Sequence, residues 1–201
     1  MTKLCVLLLL GFLPTLSANA QTAQAPQGAQ QPPSVAAYVR QRYMSRKSEI
    51  VRSADKMPAE FYGLRPGQQE EVRTFGQHLA HIANYNFLWC SEARGEKNPN
   101  AGINLERTLH TKEEFVKALQ DSYTYCDAAY TALTDESGAE ILTITQESGR
   151  QQQLRRINLL ILNLGHNDEV YGSMVTTMRI KNIVPPASEP RPAAAQPAQQ
   201  K

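Results

Sequence analysis

The whole imidazole supply of the chain is four histidines, at positions 78, 81, 110 and 166. His78 and His81 sit three residues apart in "TFGQHLAHIANYNFLWC", and His166 stands in "GHNDEVYG". Neutral imidazole is a ligand for zinc, nickel, copper or iron, and helix bundles build metal sites from inward-pointing side chains on facing helices. Residues four apart on a helix share a face, so His166 and Val170 point the same way. A histidine at 170 would make half of a metal site, but valine has no donor atom. A helical histidine beside a core also serves as a hydrogen-bonded packing residue, and this reading stays open. The chain has no Ser-His-Asp order, paired-carboxylate site, Cys-His nucleophile pair or Gly-rich phosphate loop.

Four helical segments must position these residues. The first starts near Ser34, with Val35, Tyr38, Val39, Tyr43 (or Met44), Ile50 and Val51 at amphipathic spacing, and Pro58 ends it. "EFYGLRPGQQEEVR" reads as a loop. Thr74 and Gln77 have capping-box spacing and open the second segment. Phe75, Leu79, Ile82 and Trp89 form its stripe, with His78 and Tyr85 on the flank and His81 further round. "RGEKNPNAGINLERTLH" is a long connection for a compact bundle, which frees the third segment from running antiparallel to the second. Thr111 and Glu114 cap that third segment, which carries Phe115, Val116, Leu119, Tyr123, Cys126 and Tyr130 and ends near Thr134. "DESGAE" is a turn, and "ILTIT" at 141–145 alternates as a short strand would. The fourth segment runs from Gln151 to about Lys181. Its "INLLILNLG" is apolar almost all round, which predicts the most buried helix of the four. The fold class is all-α, a four-helix bundle with at least one long crossover.

The ends read differently. "MTKLCVLLLLGFLPTLSANAQ" has the plan of a cleaved signal peptide over residues 1–20, cut after Ala20. Its apolar run is short for a membrane span, so no anchor remains after cleavage. Cys5 lies inside that run and not at its cleavage end. Residues 21–33 and 185–201 are Gln/Ala/Pro-rich and read as a disordered linker and tail. The remaining 34–184 form one domain, about 150 residues and enough for a real core. The net charge of +2 comes from interspersed charges, with no basic block and no sign of nucleic acid binding. An exposed helix face leaves a homodimer open. Processing leaves Cys90 and Cys126 in an exported, periplasmic or extracellular setting where disulfides persist. A bridge between them would close a loop of about 35 residues and contribute roughly 3–4 kcal/mol. Two separate buried thiols are the alternative.

The segments "VRTFGQHLAHIANYNFLWCS", "SYTYCDAAYTAL" and "GHNDEVYGSMVTTMRIKNIVPPASE" resemble the DinB-like superfamily, and more closely its exported members. The resemblance runs from about Tyr38 to Glu189. It implies a four-helix bundle of up-down-down-up topology. It also implies a divalent metal site, zinc or nickel, made by one histidine on the second helix and an H-x-x-x-H pair on the fourth. Carried over, these ligands fall on His81, His166 and Val170, where the donor is missing. His78, one turn before His81, could rotate inward to complete the set, and Glu169 and Tyr171 could support it as outer residues. Characterised relatives implied by the resemblance include metal-dependent thiol transferases, isomerases and hydrolases. Two functions therefore follow as expectations. One is an exported binding or structural module with a weakened or vacant metal site. The other is a metal-dependent transferase or hydrolase.

Overall fold

The computed structural model describes residues 32–145 and 149–190. The expected signal peptide, most of the expected linker and the expected tail beyond residue 190 lie outside the described residues. Four long helices dominate: α1 (Val35–Lys56), α2 (Phe75–Arg94), α4 (Lys112–Thr131) and α6 (Arg156–Ile180). Between them lie two short helices, α3 (Leu105–Thr108) and α5 (Asp135–Ala139), and a hairpin of β1 (Ile141–Thr145) and β2 (Gln151–Arg155). Each long helix but α6 begins at a residue legible in the chain. Ser34 caps α1, Thr74 with Gln77 forms a capping box on α2, and Thr111 with Glu114 forms another on α4. No helix among the described residues is long and apolar enough to cross a membrane.

Three expectations change at the end of the chain. Gln151–Arg155 is not the start of the last helix but the second strand, paired antiparallel with Ile141–Thr145 from Ile141↔Arg155 to Thr145↔Gln151. The pairing partner lies outside any local window, so glutamines with good helix propensity misdirect the reading. "DESGA" is helical because Thr134 caps it. Residues 185–190 were expected to be disordered. Instead Pro185 and Pro186 are buried, and the Ala187 amide donates to Tyr171 Oη at 3.3 Å. Glu189 also pairs with Arg52 and Lys56 of α1.

The core forms where α2 packs on α4 and α6, and α1 on both of these as well. Phe75, Leu79, Ile82, Leu119, Tyr123, Leu160 and Met174 are almost completely shielded from solvent. α6 is not the uniformly buried helix its composition suggests: Ile161 and Leu162 are 46% and 50% exposed. Close approach of α2 and α4 depends on Gly76, where a Cβ would lie 2.5 Å from the Phe115 ring. Cys90 and Cys126 are bridged, with Cα atoms 5.3 Å apart and no solvent exposure.

A polar network ties α2, α4 and α6 together inside this core. Asn86 Oδ1 accepts from Asn163 Nδ2 at 2.8 Å and Asn167 Nδ2 at 3.0 Å. Its Nδ2 donates to Ser122 Oγ at 3.1 Å, and Tyr130 Oη donates to Asn163 Oδ1 at 2.8 Å. Asn86, Asn163, Asn167 and Ser122 are fully buried, so their bonds must be made within the protein. Asn167 is the neighbour of His166, and Asn163 lies one turn before it. At the far end, the Arg156 guanidinium donates to the Ala93 carbonyl and sets the start of α6 against the end of α2.

Candidate functional site

α2 and α6 face each other across a cleft of about 360 Å3, lined by Arg73, His78, His81, Tyr85, Trp89, His166, Glu169, Val170 and Ser173. The residues expected to act together do meet here. The Nε2 atoms of His81 and His166 lie 3.1 Å apart, and the two ring centroids are 4.9 Å apart. The Tyr85 ring packs on both, at 4.8 Å from His81 and 4.6 Å from His166. Trp89 closes the group, 4.7 Å from Tyr85 and 5.1 Å from His166.

Sequence reasoning missed Glu106. Its Oε1 lies 2.5 Å from His81 Nδ1, and its Oε2 accepts from Arg73 Nε at 2.6 Å. Glu106 comes from α3, inside the long connection, which Asn84 folds back onto α2. Asn84 Oδ1 accepts from Asn100 Nδ2 at 3.0 Å and from the Leu105 amide at 3.2 Å. The Asn104 cap on α3 was the one local signal that this stretch is structured. Burial raises the Glu106 pKa, but the bonds from His81 and Arg73 outweigh it and hold the carboxyl below its ordinary range. An ionised carboxylate only accepts, so His81 carries its proton on Nδ1 and turns Nε2 towards His166. One proton shared between the two Nε2 atoms then accounts for their contact.

A carboxylate behind a histidine is the usual support for a metal-ligating imidazole. Two nitrogens on a tetrahedral zinc ion would stand about 3.3 Å apart, close to the separation found here. The donor set ends there. Val170 lines the cleft, 7% exposed, and offers carbon where the third ligand would be. Among the described residues, no three His, Cys, Asp or Glu side chains are grouped to hold a metal ion. The residues present therefore do not fit a three-ligand divalent site.

The other candidates separate. His78 lines the same cleft, but its Nδ1 is buried without a partner. Glu169 lies on the rim. Tyr171 is turned away: it is buried, its ring carries the Arg46 guanidinium at 4.4 Å, and its hydroxyl meets Ala187. His110 is exposed, and its amide belongs to the α4 cap.

Burial, reinforced by the Arg73 charge, depresses the His78 pKa to about 4. Burial and the neighbouring His81 depress that of His166 to about 4. In the unfolded chain both would titrate near 6.5. Between these values the unfolded state binds more protons, so stability is complete above about pH 6.5 and falls towards pH 4. The slope should approach about 1.4 kcal/mol per pH unit for each ring. Urea unfolding at pH 7, 6 and 5 measures it. A flat profile would show that the two rings are protonated equally in both states.

Residues 19–169 match the family profile described as the DinB superfamily, three quarters of the chain. The chain belongs to the DinB superfamily. Two solved structures show the same DinB-like fold. A DinB-like protein from Bacillus cereus ATCC 10987 is 14% identical, with a TM-score of 0.55, over 74% of this chain and 93% of the other. An uncharacterised protein from Escherichia coli UTI89 is also 14% identical with a TM-score of 0.55, over 77% and 99%. No curated protein matches the chain. The superfamily match ends at Glu169, one residue before Val170.

Proposed function

We propose that this DinB-superfamily protein is an exported binding module whose cleft keeps the histidine pair of a metal site but has lost the site's third ligand. The observation that carries this reading is the direct contact of His81 and His166 beside a buried Val170. Both Nε2 atoms are occupied by their shared proton, which an incoming metal must displace with only two protein ligands to repay it. Export agrees with the buried Cys90–Cys126 bridge, since disulfides persist in oxidising compartments. An up-down-down-up four-helix bundle is supported by the pairing of the long helices. Gly76, Asn86 and Cys90 of α2 meet Phe115, Ser122 and Cys126 of α4 in step, the sign of parallel helices. Ala93 and His81 meet Arg156 and His166 in opposite order, the sign of antiparallel ones.

A metal-dependent enzyme of the transferase or hydrolase kind is the second reading, favoured by the Glu106 support behind His81. Metal analysis of the purified mature protein after equilibration with zinc or nickel separates the two. The binding-module reading expects less than a stoichiometric amount retained after dialysis. One tightly held ion per chain, lost in His166→Ala, would overturn it in favour of the enzyme.

A further inference from the structure

The cleft has a chemistry that neither the histidine pair nor its lost ligand explains. One part of its wall is aromatic: Tyr85, Trp89 and the two paired imidazoles. The planes of Trp89 and His166 meet at 78°, and those of Tyr85 and Trp89 at 38°. Flat rings inclined to one another around a cleft make a corner lined by π-systems, whose faces carry partial negative charge.

The ionised groups lining this corner are Arg73 and Glu169, with Glu106 behind them. The Arg73 guanidinium is spent on Glu106, 2.6 Å away, and among the described residues no cation pairs with Glu169 across the cleft. One excess negative charge therefore remains at the rim. The imidazoles offer no ready hydrogen-bonding edge: each Nε2 of the central pair is engaged with the other, and the unpaired Nδ1 atoms of His78 and His166 are buried. A ligand suited to this cleft carries positive charge, a compact apolar surface and little need for directional hydrogen bonds.

We infer that the cleft between α2 and α6 binds a small organic ammonium ion, seated against Tyr85, Trp89 and the His81–His166 pair with its charge facing Glu169. This rests on the reading of the cleft as a binding site free of metal. An alkylated ammonium spreads its charge over methyl groups that pack on ring faces, and it has few or no N–H bonds to satisfy. A cleft of about 360 Å3 lies within the size range of small-molecule sites.

Trp89 is the only tryptophan in the chain, so its fluorescence reports this cleft and nothing else. Choline is the probe, titrated into the chelator-treated mature protein at constant ionic strength. Its uncharged carbon isostere, 3,3-dimethylbutan-1-ol, is the control. The expected result is a saturable fluorescence change with choline, binding at least tenfold tighter than the alcohol. Glu169→Gln, at an exposed position that leaves folding intact, should weaken choline severalfold and leave the alcohol unaffected. By calorimetry, Trp89→Leu should lose choline binding. No saturable change, equal affinity for choline and the alcohol, or preference for benzoate would each overturn the inference. A phosphatidylcholine vesicle arm separates the sources of the cation. Co-sedimentation displaced by free choline assigns a lipid headgroup; choline binding without co-sedimentation assigns a soluble amine. Failure is also separable from failure of the metal-free reading. Tight stoichiometric zinc sinks that reading, whereas metal-free protein that ignores choline sinks only the ligand class.

Discussion

Replacing Val170 by histidine should give a protein that binds a single zinc ion per chain. The affinity gain should be on the order of 100-fold or more, because a third protein ligand completes the set that open zinc sites use. The argument is geometric. His81 and His166 already bring their Nε2 atoms to 3.1 Å, Glu106 already orients the first ring, and residue 170 lies one turn from His166 on the cleft wall. Only a donor is missing. Without metal the change is costly. Val170 is a core residue, and a polar ring in its place loses apolar contacts and needs a partner, so the apo variant should be about 1–3 kcal/mol less stable. Zinc should restore that stability and raise the melting temperature with concentration, as linkage requires. Calorimetric zinc titration of Val170→His, alongside Val170→His/His166→Ala, checks it. Equal weak binding by both would mean that residue 170 does not reach the pair.

Asn86→Leu should be the most destabilising single change in the core for its size. Asn86 Oδ1 accepts two amide N–H bonds, from Asn163 and Asn167, and its own amide donates to Ser122. Leucine of similar bulk leaves both donors unpaired where no water reaches, at about 1–3 kcal/mol each, so a loss of about 3–5 kcal/mol is expected. Ser122→Ala removes the acceptor of the Asn86 amide and a local donor to the Leu119 carbonyl, and should cost about 1–2 kcal/mol. Urea unfolding with a common m-value measures both. The effect should extend to the cleft, because Asn163 and Asn167 hold the turn of α6 that carries His166. Imidazole nitrogen shifts in Asn86→Leu should therefore report a broken His81–His166 contact. A loss below about 1 kcal/mol, with unchanged shifts, would show that the network neither stabilises the core nor holds the pair.

Much of the helical framework was legible because its signals are local. Ser34, Thr74 with Gln77, and Thr111 with Glu114 cap helices through side chains that reach only three residues along the chain. The stripes of α2 and α4 follow the same short-range logic, and they place His81 and His166 on helices able to face one another. Glu106 escaped notice for the opposite reason. It sits in an irregular connection whose path is set by Asn84 from another element, and no periodicity marks such a residue. Gln151–Arg155 was misread because a strand is defined by its partner, and the partner lies across the hairpin.

The chain by itself carried the superfamily resemblance, the four long helices, two cysteines able to bridge and the histidines that fall on the positions this resemblance implies. The helices follow from spacing and capping, which act within a few turns of chain. Only the tertiary structure decided that His81 and His166 touch, that Glu106 stands behind one of them, that Tyr171 faces elsewhere and that aromatic rings wall the cleft. Contacts of this kind join residues up to 85 positions apart. Their geometry depends on how the helices pack, and Gly76, the Asn86 network and the Cys90–Cys126 bridge set that packing together.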